Sequence, residues 1–505
     1  MKLNYKRTLL VGFAFFLISA FWQAYDATIP VILTNKFGMS QTWSGVIMAL
    51  DNVLAVFLLP LFGTLSDKCK GRFGKRTPFI VIGTTVAALA IVALSLVDNA
   101  QLKNISEVAT IDDPAALGIV YDSQSEMQLQ TPEGDKFILS ENFSKEEFAQ
   151  IRCKITDENG KSITNPDYTN FVAPARQAYV AQKTAENSTE LVLFVALLLV
   201  VLLAMAIFRS PAVALMPDVT IKPLRSKANA IINLMGTAGG ILVLVLGMVF
   251  ATSAAENAMM SYTLYYAIIA GIMLGALAVF LLTVREKKWA QEMQEDSVRL
   301  GIEEAEETTG EKRGLSKAEV KSLICILLSI ALWYFGYNAV TSKYAVYAVN
   351  ILDKSYSTTM LLAQGAAIVA YLPAGMVATK IGRKKTIMAG VVMLAAAFGT
   401  AAFMRASSPT WLMNAMFVLA GIAWATINVN SFPMVVEMCS GSDIGKYTGY
   451  YYTASMTAQI ATPIFSGFIM DQMGMTTLFP YATIFVALAF VTMALVRHGD
   501  AKPQE

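Results

Sequence analysis

Long apolar stretches alternate with short polar segments along the whole chain. Twelve of the stretches are about 20 residues or longer, which is the length that an α-helix needs to cross the hydrocarbon core of a bilayer. They predict twelve membrane-spanning helices, at residues 9–33, 43–63, 78–98, 190–216, 228–252, 262–284, 322–350, 358–378, 386–404, 410–436, 446–470 and 478–497. The pattern therefore predicts an all-α membrane protein.

The segment that follows the second predicted helix occurs twice. The first copy contains Gly63, Asp67, Arg72, Gly74, Lys75 and Arg76, and the second contains Gly375, Gly382 and Arg383. Gly63 and Gly375 are 312 positions apart, and the same shift places Asp26 on Asn338. Because one register aligns helices 1 and 2 with helices 7 and 8, the sequence predicts two pseudo-symmetric six-helix bundles. Such internal repeats are typical of secondary transporters.

One long polar segment, residues 99–189, interrupts the repeat with 14 acidic and 8 basic residues. The predicted parts are helices 1–3 at 1–98, this insertion, helices 4–6 at 190–284, a charged linker at 285–320, the C-terminal six-helix bundle at 321–497 and a tail at 498–505. Two interpretations of the insertion stay open. It is either an acidic loop or small flap without chemistry, or a gate or capture surface.

The basic residues predict the orientation. The termini and the loops on their side hold 26 of the 39 Lys and Arg, whereas the short opposite loops hold only Lys36, Lys354 and Arg405. Since loops rich in Lys and Arg stay in the cytoplasm, we expect both termini to be cytoplasmic and the insertion extracytoplasmic. The protein is then a multi-pass protein of the cell (inner or plasma) membrane.

The first loop copy pairs an acid with nearby bases. Asp67 ends a predicted helix, where the helix dipole disfavours a negative charge, and it therefore needs a cation such as Arg72, Lys75 or Arg76. We interpret the nine loop residues named above as a cytoplasmic gate, a latch that breaks when the helices rock. The alternative is a simple basic anchor. In the second copy Thr379 replaces the acid, so we expect the latch mainly in the first.

These residues carry a family resemblance. Gly63-x-x-x-Asp67 followed by Arg72-x-Gly-Lys-Arg76 resembles the cytoplasmic loop motif of the major facilitator superfamily. The continuation to Pro78 and the segment 208–218 look most like its sucrose-transporter-like branch, akin to the glycoside-pentoside-hexuronide:cation symporters. The resemblance covers both halves but not the insertion. It implies the major facilitator fold, a site at the midplane between the bundles and transport by alternating access.

Four ionisable residues lie inside predicted helices and away from the helix ends; at a helix centre each costs roughly 2.5–3.5 kcal/mol on insertion scales. They are Asp26, Asp51, Arg209 and Lys343. We take Asp26 and Asp51 as coupling candidates, since an acid facing a wet cavity can bind a proton or a sodium ion. The alternatives are an Asp26–Lys343 ion pair and a buried Asp51 that is hydrogen-bonded to Asn52. Lys343 is otherwise a residue that snorkels to the membrane surface.

Departures from the resembling families bear on the coupling ion. Melibiose carriers have acids where this chain has Ala55, Leu59 and Arg209, and plant sucrose transporters have an acid within helix 4 that is missing here. The resemblance therefore favours H⁺ over Na⁺, with Asp26 or Asp51 as the coupling acid.

Polar and aromatic residues on the helices that line the cavity of this superfamily are candidates for substrate binding, because sugars bind through hydroxyl groups and ring faces. The candidates are Gln23, Tyr25, Asn52, Arg209, Trp333, Tyr337, Asn338, Lys343, Gln364, Trp424, Asn428 and Gln459.

We therefore expect a monomeric secondary transporter, not an enzyme, that moves a glycoside or disaccharide together with a proton. No cofactor is expected besides that coupling ion, and the four cysteines show no metal-ligand spacing. No nucleic-acid partner is expected, although the near-neutral net charge of +2 by itself says nothing about one. The alternatives are an exporter of another polar or lipophilic solute, and a receptor or scaffold that retains the fold.

Overall fold

The computed structural model describes residues 3–156, 160, 162–221, 224–299, 316–436, 438 and 444–498. Twelve long helices dominate these residues. In the N-terminal half they are α1 (Tyr5–Val11 continued by Phe13–Asn35), α2 (Gln41–Lys68), α3 (Thr77–Asn104), α4 (Thr189–Asp218), α5 (Arg225–Val249) and α6 (Thr263–Thr283). In the C-terminal half they are α7 (Lys317–Asn350), α8 (Tyr356–Ile381), α9 (Arg383–Ala401), α10 (Thr410–Val436), α11 (Ile444–Met473) and α12 (Leu478–Ala494).

Ten helices in the described part of the chain are long and apolar enough to cross a membrane. The two long helices below that measure are α8 and α11. Both pack against the other half, and they carry Gln364 and Gln459, two of the predicted substrate contacts. Their lower apolarity is expected of helices with one face toward a polar interior. The protein is an all-α, multi-pass membrane protein.

Local sequence signals set several helix ends. The predicted capping box at the start of α7 is present, with Glu319 N donating to Ser316 Oγ and Ser316 N donating to the Glu319 carboxylate. At the start of α2 only the first of these bonds is present, with Trp43 N donating to Ser40 Oγ. Pro78 occupies the first turn of α3, where its missing N–H costs nothing.

Each half has its own apolar core. In the N-terminal half, Tyr262, Tyr265 and Tyr266 are fully buried, and the helix α6 that they begin packs against α1 and α3. In the C-terminal half, Trp333 and Tyr344 are fully buried with residues of α9, α10 and α12. Two separate cores allow each half to move as a unit.

The insertion between α3 and α4 is folded. It contains short helices at Ser106–Ala109, Pro114–Gln124, Leu139–Asn142, Lys145–Ala149 and Ala173–Glu186, and a π-helical turn at Tyr168–Val172. Two antiparallel hairpins complete it, β1 (Gln128–Gln130) with β2 (Lys136–Ile138) and β3 (Lys154–Thr156) with β4 (Ser162–Thr164). A third apolar core lies inside it, around Leu117, Leu139, Phe148, Val172 and Val180.

We call the end of the bundle that carries the insertion the insertion side, and the opposite end the termini side. The halves meet closely on the insertion side. A Cβ added at Gly45 of α2 would lie 2.1 Å from the carbonyl oxygen of Pro463 in α11, and one at Gly467 would lie 2.3 Å from that of Gln41. Only glycine permits this approach of the two backbones. This end of the bundle is therefore closed.

On the termini side, the predicted charged linker begins as a helix at Glu286–Arg299. Residues 300–315 of that linker and 499–505 of the predicted tail lie outside the described residues.

Candidate functional site

A polar cavity of about 180 Å³ lies between the two halves. It is lined by Trp22, Tyr25, Asp26, Met48, Asp51, Asn52, Arg209, Asn338, Thr341, Ser342, Gln459 and Pro463. These residues come from α1, α2 and α4 of one half and from α7 and α11 of the other. Both predicted coupling acids and five of the predicted substrate contacts therefore meet at one place.

Helical spacing explains why α1 supplies so much of the lining. Trp22 and Asp26 are four residues apart and share one face of the helix. Asp51 and Asn52 reach the cavity from α2, and the amide Nδ2 of Asn52 donates a 2.8 Å hydrogen bond to Asp51 Oδ1. The second interpretation of Asp51, an acid hydrogen-bonded to its neighbour, thus describes its contact, while its cavity position keeps it a coupling candidate.

The cavity holds two carboxyl groups and one guanidinium. Arg209 lies with its guanidinium carbon 5.4 Å from the centre of the Trp22 ring, a cation–π contact. The positive charge of Arg209 partly balances the negative charge of Asp51. Asp26 has neither a hydrogen bond nor an ion pair among the described residues, so it carries the charge that the site leaves uncompensated.

Three side chains of the lining contain buried polar atoms without a hydrogen-bond partner in the described part of the chain. They are Trp22 Nε1, Tyr25 Oη and Asn338 Nδ2. All three can donate a hydrogen bond. Leaving a buried donor unpaired costs about 1–3 kcal/mol, so the cavity is suited to a molecule that offers several acceptor oxygens.

Two predicted contacts, Gln23 and Gln364, instead join the halves beside the cavity. Gln364 Nε2 donates a 2.5 Å hydrogen bond to Gln23 Oε1, and Gln23 Nε2 donates one of 3.1 Å to the hydroxyl of Tyr356 in α8. This cluster connects α1 with α8. The two glutamine side chains thus serve the contact between halves in this structure and do not line the cavity.

The aromatic candidates of the C-terminal half pair with one another. The rings of Tyr337 and Trp424 are stacked, with centroids 3.6 Å apart and planes at 4°. Asn428 hydrogen-bonds to Tyr371 of α8. These residues form a second polar and aromatic layer on α7, α8 and α10, outside the residues that line the cavity.

The prediction of substrate contact for Trp333 is not matched by its position. It is 1% exposed and packs in the core of the C-terminal half. Asn338, which does line the cavity, lies five residues later, about 140° around the helix. A helix that packs on two sides cannot bring both residues to the same cavity.

Lys343 neither pairs with Asp26, nor is exposed, nor lines the cavity, contrary to the three interpretations of it. It is fully buried, and its Nζ donates a 2.5 Å hydrogen bond to the backbone oxygen of Gln41. Asp471 of α11, whose charge acts on Lys343, accepts 2.8 Å hydrogen bonds from the backbone N–H groups of Gln41 and Thr42. Lys343 and Asp471 thus hold the first turn of α2 to the C-terminal half.

The loop motif braces the N-terminal half in this structure. The buried Arg76 guanidinium pairs with Asp67 at 2.5 Å, as the latch interpretation expected, and with Asp218 at the end of α4 at 2.7 Å. Arg72 and Lys75 have exposed side chains. The partners that are seen therefore connect α2, α3 and α4 with one another.

The linker supplies a further partner that the sequence did not reveal. The Glu286 carboxylate accepts hydrogen bonds of 2.6, 2.8 and 2.7 Å from the backbone N–H groups of Lys75, Arg76 and Thr77. Gly74 lies against it, because a Cβ there would be 2.3 Å from the Glu286 carboxyl carbon. A negative charge at the N-terminus of α3 is the arrangement that the helix dipole favours.

The second loop copy is built differently. A Cβ added at Gly375 would make only an ordinary 3.8 Å contact with the side chain of Val429, and Gly382 caps the start of α9 with a φ of 93°. The side chain of Thr379 lies outside the described residues. Lys384, next to Arg383, donates to the backbone oxygens of Ala494 and Val496 at the end of α12. The copy thus ties α9 to α12 through a lysine.

A buried ion pair near the insertion was also missed. Lys36 Nζ lies 2.7 Å from Asp98, and both side chains are 0% exposed. Lys36 further donates to the carbonyl of Met260, so the pair holds α1, α3 and the start of α6 together. The sequence indicates this ion pair only through the opposite charges of Lys36 and Asp98 at the ends of two apolar segments.

Family profiles match two parts of the chain. A profile described as "Major Facilitator Superfamily" matches residues 323–505, and one described as "MFS/sugar transport protein" matches residues 10–102.

Curated relatives align over short regions. The chain is 24% identical over 132 residues to the "MFS-type transporter ppzB" of Metarhizium rileyi, covering 26% of this chain and 27% of that protein. It is 30% identical over 60 residues to "Sucrose transport protein SUC4" of Arabidopsis thaliana, covering 12% of each. It is 35% identical over 72 residues to human "Proton-associated sugar transporter A", covering 14% of this chain and 9% of that protein. The alignments thus span about a quarter or less of these relatives' length.

Solved structures are similar over nearly the whole chain. The inward-open xylose transporter XylE of E. coli superposes with a TM-score of 0.58 at 14% identity, covering 99% of this chain and 97% of that one. A bacterial homologue of the iron transporter ferroportin, in an inward-facing state, gives 0.57 at 11% identity, covering 98% and 99%. At such identities the likeness concerns the fold alone.

Proposed function

We propose that this chain, which belongs to the major facilitator superfamily, is a secondary transporter that moves a glycoside or disaccharide together with one proton. The observation that carries the proposal is the cavity between the halves, with Asp26, Asp51 and Arg209 facing three unpartnered donors. Acids accept hydrogen bonds from sugar hydroxyls, and the donors give hydrogen bonds to their oxygens. A polyhydroxylated solute satisfies both sets of groups at once.

The size of the cavity favours a small polar solute. Its volume of about 180 Å³ lies below the roughly 300–1,000 Å³ of pockets that hold drug-sized ligands. We infer that one sugar ring occupies the closed cavity, and that any second ring requires the termini side to widen. This favours a glycoside over a large lipophilic drug.

Charge balance suggests how the proton is coupled. Two carboxylates and one guanidinium leave one negative charge in a low-dielectric region, where an uncompensated charge is costly. Asn52 and Arg209 stabilise the ionised Asp51. We therefore assign the coupling proton to Asp26, which has no such partner among the described residues. A protonated Asp26 leaves the loaded site neutral while the halves rock.

The contacts on the insertion side are consistent with one state of a rocking cycle. We therefore propose that the protein lies in a cell membrane, with the closed insertion side outside and the basic termini side in the cytoplasm. The solute would then enter from the insertion side and leave toward the termini side.

Uptake into proteoliposomes tests the proposal. Purified protein should accumulate a radiolabelled disaccharide or glycoside when the outside is made acidic. Tyr25→Phe and Asn338→Ala each remove an unpartnered donor and should raise KM severalfold. Accumulation driven by the pH gradient should be unchanged when solute is saturating. Trp411→Phe, an exposed aromatic on α10, serves as the matched control.

Three outcomes would contradict the proposal. Uptake that ignores the pH gradient would remove proton coupling. Accumulation of solute in vesicles whose lumen is made acidic would indicate an exporter that exchanges solute for protons. Unchanged KM in both donor variants would mean that the sugar binds elsewhere.

A further inference from the structure

The insertion is anchored firmly on the N-terminal half. Gln101 Nε2, near the end of α3, donates a 2.7 Å hydrogen bond to the backbone oxygen of Lys36, and Gln177 Nε2 donates one of 3.1 Å to that of Met39. A Cβ added at Gly38 would lie 2.3 Å from the backbone nitrogen of Ala181. Because the insertion also has its own buried core, it must move with this half as one body.

The β1–β2 hairpin of the insertion crosses to the other half. The backbone oxygen of Pro132 accepts a 2.7 Å hydrogen bond from Met475 N, in the loop between α11 and α12. The Glu133 carboxylate lies 3.2 Å from Arg405 Nε, in the loop between α9 and α10. The hairpin tip therefore touches two loops of the C-terminal half.

Glycines on both sides allow this contact to be close. A Cβ added at Gly134 would lie 2.7 Å from the backbone oxygen of Met473, and one at Gly474 would lie 2.4 Å from that of Glu133. Both glycines have positive φ, +108° and +89°, which other residues rarely adopt. The two turns thus fit one another backbone against backbone.

The second hairpin makes an independent contact. Thr164, at the end of β4, donates from its hydroxyl to Asp353 Oδ1 at 2.5 Å and from its backbone N–H to Oδ2 at 3.2 Å. Asp353 belongs to the loop between α7 and α8. A body fixed to one half is thus docked on three separate loops of the other.

We propose that the two hairpins form an intramolecular clamp, residues 128–138 and 162–164, that holds the insertion side closed and must release whenever that side opens. The inference rests on the proposed alternating access. Rocking that separates α2 from α11 carries the anchored insertion away from the C-terminal loops, so the hairpin contacts break together with the contacts between those helices. The clamp thereby biases the resting protein toward the state that is open on the termini side.

A disulfide across the clamp tests this. Thr164→Cys with Asp353→Cys is made in a chain whose four native cysteines are replaced by Ser or Ala. Oxidation should stop solute uptake, and reduction should restore it. The matched control is Asp122→Cys with Lys145→Cys, an exposed ion pair inside the insertion, 2.5 Å between charged atoms, which does not cross to the other half. Oxidised control protein should transport like reduced control protein. Undiminished uptake by the oxidised clamp variant would overturn the proposal.

A second measurement does not require transport. Spin labels at Glu141 on the insertion and at Trp411 at the start of α10, both exposed, report the distance between the insertion and the C-terminal half in lipid. Glu133→Ala with Thr164→Ala should increase the population with the longer distance about two- to tenfold, the range expected for the loss of individual hydrogen bonds. An identical distance distribution in the wild type and this variant would overturn the clamp, whatever the solute is.

Discussion

Substitution of Asp26 by Asn provides the sharpest test of how this protein couples transport to an ion. The change keeps the size of the side chain and much of its capacity for hydrogen bonding, but it removes the one charge that the cavity leaves uncompensated. Asp51, Asn52 and Arg209 are untouched. The variant should therefore bind solute and exchange it across the membrane, yet it should no longer accumulate solute in response to a pH gradient.

The magnitude follows from the charges in the cavity. Two carboxylates and one guanidinium require one proton for neutrality, which predicts one proton per solute. A gradient of one pH unit is then worth about 1.4 kcal/mol, which corresponds to roughly tenfold accumulation of solute at zero membrane potential. In Asp26→Asn the ratio of internal to external solute should fall to about one.

The assay uses proteoliposomes in which symmetric potassium and an ionophore hold the membrane potential at zero. Accumulation at a gradient of one pH unit is compared with counterflow exchange, which needs no net proton movement. Glu141→Gln, an exposed carboxyl on the insertion, is the control. Tenfold accumulation by Asp26→Asn would refute the assignment. About hundredfold accumulation by the wild type would refute the charge count, since it requires two protons.

Three further predictions concern stability and state. Lys36→Met leaves the buried Asp98 carboxylate without its partner and should lower the free energy of unfolding, measured in detergent micelles, by about 3–5 kcal/mol. The double variant Lys36→Met with Asp98→Leu should regain most of this stability, and equal stability of the single and double variants would contradict the prediction. Glu286→Ala removes the acceptor of three backbone N–H groups at the start of α3 and should lower thermal stability by the equivalent of about 2–4 kcal/mol. Glu295→Ala, farther along the same linker helix, is the control, and an unchanged melting temperature of Glu286→Ala would show that the loop does not need the carboxylate. Gly467→Leu places a side chain against the Gln41 backbone and should hold the insertion side open, so that the disulfide between Thr164→Cys and Asp353→Cys no longer forms. Gly271→Leu, at a position with open space around it, should leave the disulfide intact, and normal crosslinking of the Gly467 variant would refute the close approach of α2 and α11.

The sequence predicted the membrane architecture well, for reasons that are local. Apolar stretches must satisfy their backbone groups internally in lipid, so each long stretch has to be a helix. The capping box at Ser316 and Glu319 is equally local and is present. Of the candidate site, Tyr25, Asp26 and Asn338 were recognisable because charged and polar residues inside an apolar helix are costly without a function.

Other parts of the site were not predictable from such signals. Trp333 and Asn338 are both polar-capable residues of α7, and only the packing of that helix decides that one is buried in the core and the other faces the cavity. Lys343 had three sequence-based interpretations, and none included Asp471, which lies 128 positions later in the chain. Partners so distant in sequence leave no local pattern.

The amino-acid sequence by itself determined the helices, the repeat, the basic loops and the position of the insertion, because each of these depends on neighbouring residues and on the solvent that surrounds them. The tertiary structure decided which charges balance one another, which donors stay unpaired in the cavity, and that Thr164 and Glu133 of the insertion reach Asp353 and Arg405 of the other half. Such contacts form only when two separately packed halves come together. Their stabilising energy therefore depends on both surfaces at once and cannot be read from either segment alone.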